Sequence, residues 1–157
     1  MHITDFVKLA KEVGGISAYA YLGDVGESPT GDKAAQKFED DYIEDLFKAL
    51  KEFGFNAVTY MPSRNTKEQL LRVMSLCDKY GFFQISGEDI NSPRQSFVCS
   101  AMQDYPHLYD ATYALIGHES AATENPDDGM FTEKTAEKIP DLGERIKYFA
   151  NIGRNRR

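Results

Sequence analysis

Residues 54–86 read GFNAVTYMPSRNTKEQLLRVMSLCDKYGFFQIS, and this stretch decides the fold class. Gly54 stops a helix, and Phe55–Tyr60 is an apolar run of strand length. Thr66-Lys67-Glu68-Gln69 has the form of a capping box, a hydroxyl at the N-cap answered by a side chain at N3. Leu70, Leu71, Val73, Met74 and Cys77 follow at helical spacing, Gly81 closes the helix, and Phe82–Ser86 is a second apolar run. A strand, a helical crossover of about 20 residues and another strand predict parallel neighbours in one sheet.

The same rhythm runs back to the N-terminus. Ile3, Phe6, Val7, Ala10 and Val13 recur at helical spacing, Gly14-Gly15 ends that helix, and Ile16–Leu22 reads as a strand. A polar loop punctuated by Gly26, Pro29 and Gly31 leads to a helix carrying Phe38, Tyr42, Ile43, Leu46, Phe47, Leu50 and Phe53 on one face. After Gly87 the pattern changes. A polar loop containing Pro93 precedes helices around Leu108–Ser120, Thr132–Lys138 and Asp141–Ile152, with Asp141 as the N-cap of the last.

The expected architecture is α/β: a partial (β/α) barrel of about three parallel strands with crossover helices, followed by a C-terminal helical segment. All 157 residues form a single domain in this reading, with 1–95 the β/α half-barrel and 96–157 the helical extension. A complete barrel takes eight strands and ~250 residues, so an open layered sheet is the other arrangement compatible with the pattern. An incomplete barrel would expose sheet edges and an apolar inner face rich in Tyr19, Phe55, Tyr60 and Phe83, which predicts a homodimer or a missing N-terminal half-barrel.

Hydrophobic residues make up 41% of the chain and charged residues 27%, an ordinary globular composition. With 25 acidic against 18 basic residues the net charge is -7, which disfavours nucleic acid and anionic membranes as partners. The basic tail, Arg154-Asn155-Arg156-Arg157, is expected to fray in solvent. Cys77 and Cys99 form no disulfide framework, and Cys77 reads as a core thiol. No stretch has the apolar length of a signal peptide core or membrane span, so the expected compartment is the cytoplasm.

In α/β sheets, ligands approach the carboxyl ends of the strands. Three segments lie there: Tyr21–Asp24, Thr59–Asn65 and Gly87–Gln95. The third is the richest, with Glu88, Asp89 and Asn91 offering oxygen donors of the kind that suit divalent cations. Arg94 there can grip a phosphate or carboxylate, and Arg64, just ahead of a helix N-terminus, can reinforce an anion. Gly26–Lys33 lacks the Gly-Lys-Ser/Thr ending of a phosphate loop, and Pro29 removes a donor. His2, His107 and His118 have no zinc spacing, and His118-Glu119 reads as a surface pair. No serine elbow exists.

Gly14-Gly15-Ile16 before a strand ending Ala20-Tyr21-Leu22, then Gly54–Tyr60, then Ser86-Gly87-Glu88-Asp89-Ile90-Asn91 resemble the C-terminal half of the PHP family. These are metal-dependent phosphoesterases of the polymerase and histidinol phosphatase type. The resemblance implies a distorted barrel that hydrolyses phosphate esters with divalent metal (manganese, zinc or magnesium) bound at the strand ends. It implies Asp89 as a metal ligand with Glu88 and Asn91 auxiliary, Arg64 and Arg94 on a small phosphorylated ligand, and Tyr21, Asp24 and Thr59 around the pocket. Tyr21-Leu22 stands where the family has His-Pro, Thr59 where Glu is common, and Asn91 where a ligating His belongs. A fragment or degenerate member, inactive as an isolated chain and with no catalytic residue assigned, is therefore implied. The alternative is a non-catalytic anion-binding or regulatory module that dimerises.

Overall fold

A computed structural model describes residues 2–26, 35–88, 93 and 96–156. Helix α1 (Ile3–Glu12) leads to strand β1 (Ala18–Ala20), α2 (Ile43–Phe53), β2 (Ala57–Tyr60), α3 (Lys67–Tyr80) and β3 (Phe83–Ser86). The C-terminal part adds α4 (Pro106–Glu124), a short α5 (Glu133–Lys138) and α6 (Leu142–Asn155). The capping box is formed as read: Thr66 accepts from the Gln69 amide and the Gln69 side chain accepts from the Thr66 N–H. Gly54 and Gly81 take left-handed conformations (φ 83° and 69°) that end α2 and α3, and Asp141 caps α6.

The strands are parallel in the order β1-β2-β3, with Ala57 opposite both Ala18 and Phe83. Alternation along β2 sends Val58 and Tyr60 to one face and Ala57 to the other. On the first face they meet Ile43, Phe47 and Leu50 of α2 and Leu70, Val73 and Cys77 of α3. On the second, Ala57 and Phe83 lie among Ala111 and Ala114 of α4 and Phe149 and Ala150 of α6. The sheet does not close; it is open and roofed on both faces. The C-terminal helices form one of the three layers instead of an appendage.

Roofing both faces corrects the expectation of an exposed inner face. Tyr60 and Phe55 are buried against α2 and α3, Phe83 (1% exposed) lies in the second cluster, and Tyr19 is half-buried. That surface is covered by the chain's own helices. The tail differs too: α6 runs to Asn155, Arg154 pairs with Asp110, and Arg156 with Glu124 at 2.7 Å. These are exposed pairs that contribute little energy but continue the helix. The apolar stripe of α1 stays largely in solvent, with Val13 65% exposed, and only Val7 joins the main cluster.

Helices α4 and α6 cross in backbone contact. A Cβ on Gly117 would collide with the Phe149 carbonyl oxygen, and one on Gly153 with the Tyr113 carbonyl oxygen. Alanine normally favours a helix over glycine by about 1 kcal/mol. At these positions overpacking of ~1–3 kcal/mol outweighs that gain. Gly117→Ala and Gly153→Ala should each lower the urea midpoint of unfolding, and an unchanged or raised midpoint would refute the contact.

Candidate functional site

The carboxyl ends of the strands are tied together by side chains. The chain leaving β1 returns through a backbone bridge between Val25 and Gln36, with both N–H···O distances 2.9 Å. It then enters a short 3₁₀ turn, Asp40–Tyr42, ahead of α2. There the Asp40 carboxylate accepts from the Tyr21 hydroxyl (2.6 Å), the Asp24 amide (2.8 Å) and Gln69 Nε2 (2.7 Å). Gln69 Nε2 also donates to the Asp24 carbonyl (2.8 Å), while its Oε1 serves the cap of α3. The Asp24 carboxylate accepts from the Phe38 amide (2.8 Å), and the buried Glu39 (3% exposed) accepts from the Leu22 amide (2.8 Å). Asn65 donates to the Leu22 carbonyl at 2.7 Å.

Gly23 lies at the centre of this knot with φ +69°. A Cβ there would come within 2.8 Å of Asn65 Nδ2 and Gln69 Nε2 and 2.9 Å of the Tyr21 hydroxyl, so only glycine fits. Burial acts to raise the Asp40 carboxyl, but the hydrogen bonds from Tyr21, Gln69 and the Asp24 amide outweigh it and hold the carboxyl below its ordinary value. Tyr21 is pushed above the usual phenol range, first by burial and then by Asp40. Tyr19 is pushed up to about 12 by burial and by Glu39.

The loops after β2 and β3 meet at Glu88. Its carboxylate accepts from the Ser63 amide (2.8 Å) and the Ser63 hydroxyl. Thr59 stands beside Gly87, where a Cβ would lie 3.2 Å from the Thr59 hydroxyl. The Arg64 guanidinium stacks over the Phe38 ring, 5.8 Å from its centroid, and its Nη2 is buried with no hydrogen-bond acceptor among the described residues.

Of the residues expected around the site, the fold brings Tyr21 and Asp24 together but turns them inward, so Tyr21 (1% exposed) walls no open pocket. Thr59 and Glu88 lie at neighbouring strand ends, and Arg64 at the second. Asp89, Asn91 and Arg94 lie outside the described residues. Among the described residues no group of three or more His, Cys, Asp or Glu could hold a metal ion. Sequence reasoning missed Glu39, Asp40 and the second role of Gln69. Carboxylates ahead of a helix read as ordinary first-turn acids, and no periodicity marks a side chain that bonds across loops.

The histidines also differ from expectation. His118 is no surface residue: it is 8% exposed, and its Nδ1 accepts from the Met130 amide at 2.9 Å. Burial holds it below its ordinary value, as it does His107. Cys77 is buried as read, with its thiol pushed up to about 12 by burial. Because His118 is depressed in the folded state, the unfolded chain takes up a proton first. Its contribution to stability is complete above about pH 6.5 and is lost as pH falls below that value. His118→Gln should flatten the fall in urea midpoint between about pH 7.5 and pH 5, leaving a smaller slope from His107. An unchanged slope would show that His118 does not carry the effect. No known family model matches the chain, and neither does any curated protein or solved structure.

Proposed function

We propose that the chain is a non-catalytic anion-binding module whose ligand is held at the strand ends by Arg64. The supporting observation is the buried Nη2 of that guanidinium, which has no acceptor among the described residues. A buried charged donor left unsatisfied is costly, and a phosphate or carboxylate oxygen supplies the missing acceptor. Phe38 restrains the guanidinium plane, and the amino end of α3, beginning two residues beyond Arg64 at its Thr66 cap, adds a favourable dipole. Asp24, Asp40 and Glu88 each accept hydrogen bonds from the protein itself, which supports structural roles for them. The ligand class that suits this arrangement is a small phosphorylated molecule. Titration calorimetry with phenyl phosphate is expected to give a dissociation constant that Arg64→Met raises tenfold or more and that EDTA leaves unchanged. Equal affinity in Arg64→Met would refute the reading.

A metal-dependent phosphoesterase is the second reading, favoured by one observation: Glu88 lies two residues beyond the end of β3, and Asp89 is the next residue in the sequence. Divalent metal there would polarise a phosphate ester, with Asp89 as its main ligand. Elemental analysis should then find manganese or zinc, and hydrolysis of p-nitrophenyl phosphate should vanish in Asp89→Ala. Metal-free protein that turns over no substrate with either ion added would exclude it.

A further inference from the structure

We propose that the open edge of β3 is a docking groove for an extended peptide carrying basic side chains. This inference stands apart from the anion site, on a different border of the sheet. Among the described residues, β3 pairs only with β2, so its other side has no strand beside it. The amides of Phe83 and Gly87 point to β2, at 3.0 Å and 2.8 Å from the Asn56 and Tyr60 carbonyls. The pleat therefore turns the backbone N–H and C=O of Gln84 and Ser86 outward.

A groove of about 920 Å³ runs along this edge, between the two helical layers. Phe82, Phe83 and Gln84 form its floor. Leu71, Met74 and Asp78 of α3 line one wall; Asp110 of α4 and Ile146 of α6, with the Asp141 cap, line the other. Both layers thus reach past the last strand and leave between them the slot that a further strand would occupy, one strand spacing of roughly 4.8 Å away. A chain added there would direct alternate side chains to the two walls, and Leu71, 54% exposed, offers apolar surface to one of them.

Charge selects the occupant. Three carboxylates, Asp78, Asp110 and Asp141, face the groove against a single ammonium, Lys147, itself paired with Glu144 at 2.8 Å. Asp110 shares its charge with Arg154. Asp78 is held in place by Gln84 Nε2 at 2.8 Å, and Gln84 Oε1 in turn accepts from the Tyr60 hydroxyl at 3.0 Å. That chain occupies the Gln84 side chain and leaves its outward backbone groups for a ligand. The chain's net charge of -7 steers the same class of partner, a cationic one.

The test uses a fluorescein-labelled peptide, Arg-Arg-Val-Arg-Arg, which presents arginine to both walls, followed by anisotropy with the full chain. Saturable binding is expected, weakened tenfold or more when alternate peptide nitrogens are methylated in one of the two possible registers. Asp78→Asn keeps an acceptor for Gln84, and Asp141→Asn keeps an N-cap, so both remove charge while sparing the fold. Each should weaken binding threefold or more. Absence of saturable binding, equal binding by both methylated peptides, or unchanged affinity in the two Asn variants would overturn the proposal.

Discussion

The constraint on which the molecule depends is the narrowness of its sheet. Three strands span only about 10 Å between the outer two, close to the diameter of a single helix. Two helices can share one face of so small a sheet only by approaching each other unusually closely. Glycine at Gly117 and Gly153 permits this for α4 and α6, with Ala114 and Ala150 beside them. The pair then covers Ala57 and Phe83 together. The opposite layer solves the same problem with large side chains: Phe47, Leu50, Leu70 and Leu76 fill the space between α2, α3 and the strands. One roof is closed by removing atoms, the other by adding them.

A second economy operates at the strand ends. Gln69 supplies an acceptor to the Thr66 amide and a donor to Asp40 with the same side chain. Glutamate is the commoner partner in a capping box. Here it would set a second carboxylate against Asp40 and lose the donor, which explains the amide. The position that usually admits a ligand is consequently filled by the protein's own carboxylate. Asp40 bonds Tyr21, Asp24 and Gln69 from three separate segments, and Gly23 is the small residue that lets them converge. Arg64 stands outside this closed set, which is why it remains available.

How much was legible in the sequence follows from the range of each interaction. The unit from Gly54 to Ser86 could be read because its signals are local: a glycine stop, a capping box, an apolar run. The same holds for Asp141 as a cap. The covering of the second face could not be read, since an apolar run such as Phe82–Ile85 is identical whether helices or a missing half-barrel lie above it. His118 reads as half of a charged pair from its neighbour Glu119, yet the amide it accepts from, that of Met130, is 12 residues away in sequence. The first helix errs the other way. Its stripe from Ile3 to Val13 is as regular as any in the chain, but little of it is buried, because periodicity reports a face and not what covers it.

The two borders of the sheet are treated differently, and the difference is physical. At β1 the amide of Tyr21 bonds the Thr59 carbonyl, so Leu22 turns outward, and the buried carboxylate of Glu39 accepts its N–H. A side chain placed in this way blunts an edge and opposes further pairing. Burying a carboxylate is expensive, and this fold accepts that expense on one border. On the other, acidic side chains stand at the groove walls instead of capping the backbone, and apolar Leu71 and Phe82 lie between them. Carboxylates set back from an edge repel acidic chains without consuming the ladder's donors. Such a border disfavours acidic chains and suits a strand of the opposite charge, the occupant proposed for it.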